Sequence, residues 1–160
     1  MAAQYNAPLR QTIQPNAAAI FPAAFPPDPY GIIFHEPETG VFRLASPSAL
    51  GLVDFRRRCC CRRGMPYATY AVKVNGNLAI SEGGTVEPIS IALVVDEEQA
   101  PTGIITISPD AAEEFWSIGR SIIVTVPAIC RCSTVSLRNI STQPVDLVNA
   151  NIQIRPQLLR

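Results

Sequence analysis

A single histidine, His35, and a single lysine, Lys73, are all that the 160 residues hold of either type. Most hydrolytic, phosphoryl-transfer and metal-dependent mechanisms draw on a histidine or on carboxylates gathered in a cleft. The acids do not fill that gap. Glu97-Glu98 and Glu113-Glu114 are sequence neighbours, which do not face each other across a cleft as a glycosidase pair does. Charge is scarce altogether, at 16% of residues, and thirteen basic groups cancel thirteen acidic ones. The balance provides no overall field for nucleic acid or acidic substrates. So little charge suits a protein that covers its surface with copies of itself or with a partner. No run of about 18 apolar residues occurs, so no transmembrane helix and no membrane partner are expected. The start, MAAQYNAPLRQTIQPNAAAIF, has no basic head followed by an apolar block. A signal peptide is therefore not expected, and synthesis in a cytoplasm without secretion is.

Proline is abundant, and eight of the fifteen fall within the first 47 residues. Such spacing breaks helices and removes ladder donors from strands, which predicts an extended arm over residues 1–38, near polyproline II in places. Ile13, Ile20, Phe21, Phe25 and Tyr30 are spaced along it, followed by Ile32, Ile33 and Phe34. Each large apolar group gains about 1.5–3 kcal/mol on burial. Either the arm packs along its own domain, or Ile13, Ile20, Phe21, Phe25 and Tyr30 anchor it in another protein, with proline lowering the entropy lost on docking.

Residues 39–160 read as a β domain. Phe42 and Leu44 alternate with Val41 and Arg43. Ala68, Tyr70, Val72 and Val74 share a face opposite Thr69 and Lys73, before a turn expected at Asn75-Gly76. Ile89, Ile91, Leu93 and Val95 end at the acidic turn Asp96-Glu97-Glu98, and Ile105 and Ile107 follow a turn expected around Gly103. Ile122, Val124 and Val126 stop at Pro127; Val135 and Leu137 come next, then Val148, Ala150, Ile152 and Ile154. About seven short strands at this spacing predict an all-β, antiparallel jelly-roll sandwich. Ser108-Pro109-Asp110 before Ala111, Ala112, Glu113 and Glu114 predicts one helical turn, after which Phe115 and Trp116 return to the core.

Two local features invite chemistry. Arg56, Arg57, Arg58, Arg62 and Arg63 flank Cys59-Cys60-Cys61, but no aromatics interleave for base stacking. Pairing with acids such as Asp54, Glu113 or Glu114 is the plainer reading, and no nucleic-acid partner is expected. Cys59, Cys60, Cys61, Cys130 and Cys132 lack the usual knuckle spacing for zinc. Free, partly buried thiols are the plainest state, with a disulfide between the two segments as an alternative in an extracellular particle. No metal and no cofactor are expected. Asn139-Ile140-Ser141 matches a glycosylation sequon and is read as chance.

The runs Thr85–Leu93, Ile122–Pro127, Ser136–Thr142 and Asn149–Ile152 resemble the jelly-roll domains of the tumour-necrosis-factor and complement-globular-head type. They look most like the versions found as small virion proteins of tailed bacteriophages that infect gut bacteria. The likeness covers Gly40 to Arg155; the arm and the cysteine–arginine run depart from it. It implies a homotrimer with an apolar three-fold interface, serving as a head fibre or capsid decoration attached through an amino-terminal segment. The expectation is thus a non-enzymatic structural protein of a phage virion, assembled in the host cytoplasm, whose partners are itself and a capsid or other virion protein. Deletion of residues 1–38 would then leave a folded oligomer that no longer attaches. The alternative is a carbohydrate- or receptor-binding module using exposed aromatics such as Tyr67 or Trp116.

Overall fold

The computed structural model describes residues 2–28, 31–45, 67–127 and 132–157. Eleven strands and no helix occupy them: β1 (Ala3–Ala7), β2 (Gln11–Ile13), β3 (Ala23–Ala24), β4 (Ile33–Glu36), β5 (Val41–Leu44), β6 (Tyr67–Ile80), β7 (Ile89–Val95), β8 (Glu98–Ile107), β9 (Trp116–Pro127), β10 (Ser133–Asn139) and β11 (Val145–Gln157). Two antiparallel sheets form the sandwich. One runs β3-β1-β11-β6-β9, with β2 also paired to β11; the other runs β4-β5-β10-β7-β8.

Alternation decides which side chains meet between the sheets. Tyr70, Val72 and Val74 of β6, Ile89, Ile91 and Leu93 of β7, and Ile152 and Ile154 of β11 are all buried there. The acidic turn is a two-residue hairpin in which Asp96 (φ 49°) and Glu97 (φ 68°) both adopt the left-handed conformation that matches strand twist.

Two expected turns are absent. Asn75-Gly76 lies inside β6, and Gly103 lies inside β8. Both glycines stand where a partner strand crowds them. A Cβ on Gly76 would meet Leu147 and Ala150 at 3.2–3.4 Å, beside the bulge in β11, and one on Gly103 would meet Leu93 Cβ at 2.9 Å, beside the irregularity in β7–β8 pairing. Glycine there permits close approach rather than reversal. The β11 bulge, with Asn149 at φ 52°, also shifts the inward phase. Leu147 faces the core and Val148 does not, contrary to the simple alternation through Val148.

The helical turn after Ser108 is also corrected. Residues 110–113 form bends and a turn, with Glu113 at φ 61° and its amide donating to the Ile80 carbonyl. Phe115 and Trp116 remain partly exposed.

The largest correction concerns residues 1–38. They are not an arm apart from a domain beginning at residue 39, because β1, β2, β3 and β4 belong to the two sheets. β1 pairs with β11 from Ala3↔Ile154 to Ala7↔Ala150, and β2 continues along the same edge from Val145↔Ile13 to Leu147↔Gln11. The chain then crosses to the other sheet, where Ala19 donates to the Leu137 carbonyl and Asn139 to the Ala17 carbonyl. Pro8, Pro15 and Pro22 sit between these short strands, where no ladder donor is needed. Deleting residues 1–38 would remove Tyr5, Ile13, Phe21 and Ile32 from the core, so it cannot leave the sandwich intact.

Gly40 fixes the crossing. It adopts φ +68°, and an added Cβ would lie 2.1 Å from the Ala19 carbonyl oxygen. We expect Gly40→Ala to cost about 2–3 kcal/mol in chemical unfolding, from strain and overlap together. Gly83→Ala, at φ +75° but facing open space, is expected to lose clearly less.

Candidate interaction surfaces

The residues expected to anchor the amino-terminal segment divide. Ile13 and Phe21 are buried in the chain's own core, which corrects their assignment to a partner. Ile20 is partly exposed and Phe25 is 77% exposed. Tyr30 lies outside the described residues, as do Cys59, Cys60, Cys61, Cys130 and the arginine run around Cys59–Cys61. The Tyr67 side chain is likewise not described.

Sequence reading missed Leu9, which is 80% exposed. Ala7, Pro8, Leu9, Ile20, Pro22 and Ala23 line an apolar groove of about 310 Å³. Its walls hold their shape through Gln11, whose amide nitrogen donates to the Ile20 carbonyl (2.9 Å) and whose amide oxygen accepts from the Ile20 backbone N–H (2.8 Å). A side chain thus stands in for a strand partner.

Beside the groove lies a polar hub. The Asp146 carboxylate, buried on β11, accepts from Arg10 Nε (3.0 Å), Thr12 Oγ1 (2.6 Å) and Ser81 Oγ (2.9 Å), and also from Arg10 Nη2. Arg10 reaches on to Glu113 at 2.8 Å, with its guanidinium carbon 5.6 Å from the centre of the Phe115 ring. Burial alone would push the Asp146 carboxyl up; the donors Thr12, Arg10 and Ser81, with the Arg10 charge, hold it below the ordinary carboxylate range. These groups are mutually satisfied, and we read them as a structural clamp rather than a reaction centre.

The outward face of the six-stranded sheet is rich in amide side chains. Register aligns its side chains in rungs: Gln4, Gln153, Lys73 and Ser121; then Asn6, Asn151, Asn75 and Gly119; then Arg155, Ala71 and Ile123. Asn151 Nδ2 donates to Asn6 Oδ1 at 2.6 Å. Lys73 and Arg155 are the only charges in these rungs, no carboxylate is present, and Ile123 is 58% exposed.

The other expected sites resolve as follows. Cys132 is disulfide-bonded, which corrects the free-thiol reading at that position. Asn139 of the sequon is buried, with Nδ2 donating to the Ile13 (2.9 Å) and Gln143 (2.8 Å) carbonyls. Trp116, expected in the core, is 41% exposed. Among the described residues, no three His, Cys, Asp or Glu side chains gather as metal ligands.

With this geometry established, the chain can be set beside known proteins. No protein-family model and no curated protein sequence matches it. Among solved structures, Eiger TNF from S. frugiperda superposes with a TM-score of 0.62 at 14% identity, over 99% of this chain and 92% of that one. The fold is a TNF-like jelly roll. The match extends over the amino-terminal strands, in agreement with their place in the sheets.

Asp146→Asn is expected to lose about 1.5–3 kcal/mol at neutral pH, because an acceptor of charge-assisted bonds becomes partly a donor. Asp146 has a lowered folded-state pKa, so its stabilisation is present above the unfolded value of about 3.9 and is lost as pH falls through the folded value. The gap between native protein and variant in urea unfolding should therefore close on acidification below about pH 4.

Proposed function

We propose that this chain is a non-enzymatic structural protein of a phage virion, a head fibre or capsid decoration. It would self-associate as a homotrimer and attach to a capsid or other virion protein through its amino-terminal segment. The observation that carries the assembly half is the set of three rungs on the outward face of the six-stranded sheet: amide-rich, without a carboxylate, and ending at exposed Ile123 on the edge strand β9. Neutral side chains of this kind lose little on desolvation when they find partners, whereas dense charge would resist burial. The TNF-like fold is consistent with that assembly, and a trimer and a virion setting are what the jelly-roll resemblance implies. Attachment rests on the groove beside Leu9 and Ile20 and on exposed Phe25. Ile123 lies on the edge strand β9 and the groove beside the opposite edge strand β3, so the two roles can be separated by mutation.

A second reading is favoured by one observation. Trp116 and its neighbour Phe115 are both partly exposed, near the Arg10–Glu113 pair. Aromatic faces beside charged hydrogen-bonding groups suit saccharide rings, and glycan-array binding lost in Trp116→Ala would favour this alternative.

Ile123→Glu is expected to convert a trimer into a folded monomer, read as a threefold fall in mass by light scattering. Leu9→Ser combined with Phe25→Ser should leave the trimer intact and abolish binding to particles. A wild-type monomer would remove the assembly reading, and particle binding by the double variant would remove the attachment reading.

A further inference from the structure

Four rings meet where the amino-terminal segment closes the sandwich. Phe42 of β5 lies at the centre, with ring centroids 4.5 Å from His35, 4.8 Å from Tyr5 and 5.9 Å from Phe21. His35 is stacked on Phe42 at 12° and touches Tyr5 at 4.8 Å. His35 stands on β4 of one sheet, Tyr5 on β1 of the other, and Phe21 on the segment that connects them. The imidazole is therefore a wedge between β4 and β1, resting on the Phe42 ring that Phe21 also meets. Its Nε2 is buried and finds no hydrogen-bond partner among the described residues.

We propose that His35 is an acid-sensitive latch, whose protonation loosens the contact of β4 with Tyr5 and releases β1 from the sandwich edge. An imidazolium here would bury a charged N–H with no acceptor. The charged groups around it are already committed. Glu36, next on β4, is paired with Arg43 of β5 at 2.8 Å. Asp28 accepts from the Ile32 (2.6 Å) and Ile33 (2.8 Å) amides. β1 brings only the Tyr5 phenol, pushed up to about 12 by burial and by Asp28, so it stays neutral. Stacking on Phe42 offers a cation some return, but a ring face accepts no N–H in its own plane.

Burial holds His35 below its ordinary value of 6.5, against the opposing pull of Glu36. The sign follows from that direction. The released state takes up the proton more readily, so the closed state is fully favoured above about pH 6.5 and loses ground as pH falls toward the lower folded value. Within that window the opening equilibrium rises by up to about tenfold per pH unit. Release of β1 would uncover Tyr5 with its flanking Ala3 and Ala7, which the closed form buries. Asp146, with its lowered value, remains ionised in this range and leaves its own clamp unchanged.

The test is amide hydrogen exchange on the full chain at about pH 7.5 and about pH 5, corrected for intrinsic rates, in native protein and in His35→Phe. The expected result is a loss of protection on acidification for the β1 amides, with β7 and β10 unchanged and no such loss in His35→Phe. Unchanged β1 protection in the native protein, or the same loss in His35→Phe, overturns the proposal. Should His35→Phe fail to fold, the imidazole resonance of native protein is titrated instead. A midpoint at or above 6.5 overturns the latch, and one below it with parallel β1 opening supports it. Neither readout depends on trimer formation or particle binding, so a failed latch and a failed virion role remain distinguishable.

Discussion

The Asp146 carboxylate is nearly removed from water on β11, and an ionised group in that position is tolerable only if donors surround it. Those donors come from segments far apart in the chain: Arg10 and Thr12 near the amino terminus and Ser81 at the end of β6. Satisfying one charge therefore fixes the course of the first strands. Arg10 then carries the constraint outward to Glu113 and Phe115, which places the loop before β9. A hydrophobic sandwich alone would tolerate several paths for a proline-rich segment; a buried carboxylate with directional partners tolerates few.

That course solves a second problem. Without β1 and β2, β11 would present thirteen residues of strand with one side unpaired, a template for indiscriminate association. β1 and β2 cover that side in succession, and Asn139 ties the β2 end to β10 by donating to the Ile13 carbonyl. The segment then crosses beneath Gly40 to reach the second sheet. The short β3 leaves a groove and exposed apolar side chains at the new edge, so the same covering that protects the sandwich also presents an apolar surface. At the far end the segment meets Phe42 in the four-ring cluster, where the sole histidine is the one member whose ordinary pKa lies near neutral pH.

The long strands were legible because their alternation is strong. Tyr70, Val72 and Val74 in β6, and Ile89, Ile91 and Leu93 in β7, face the core as their spacing implies. The amino-terminal strands were obscured because each is only two to five residues long and bounded by proline. β1 does alternate, with Ala3, Tyr5 and Ala7 inward and Gln4 and Asn6 outward, but two of its three inward groups are alanine and carry little apolar signal. Gly76 and Gly103 misled in the opposite direction, since a glycine that admits a crossing neighbour looks in sequence like one that reverses the chain. Trp116 was expected inside on hydrophobicity, but it lies at the start of β9, where the core ends.

Strand periodicity and composition are local quantities, so an all-β chain, the order and inward faces of its longer strands, and a low content of charge could be read from the residues alone. Tertiary structure decided that β1 to β4 complete the sheets, that Ile13 and Phe21 turn inward while Leu9 and Phe25 turn outward, and that rungs without a carboxylate share one face. Those outcomes depend on which distant backbone groups pair and which buried charge must be satisfied. Such pairings are set by the whole chain's packing, and no window of neighbouring residues contains them.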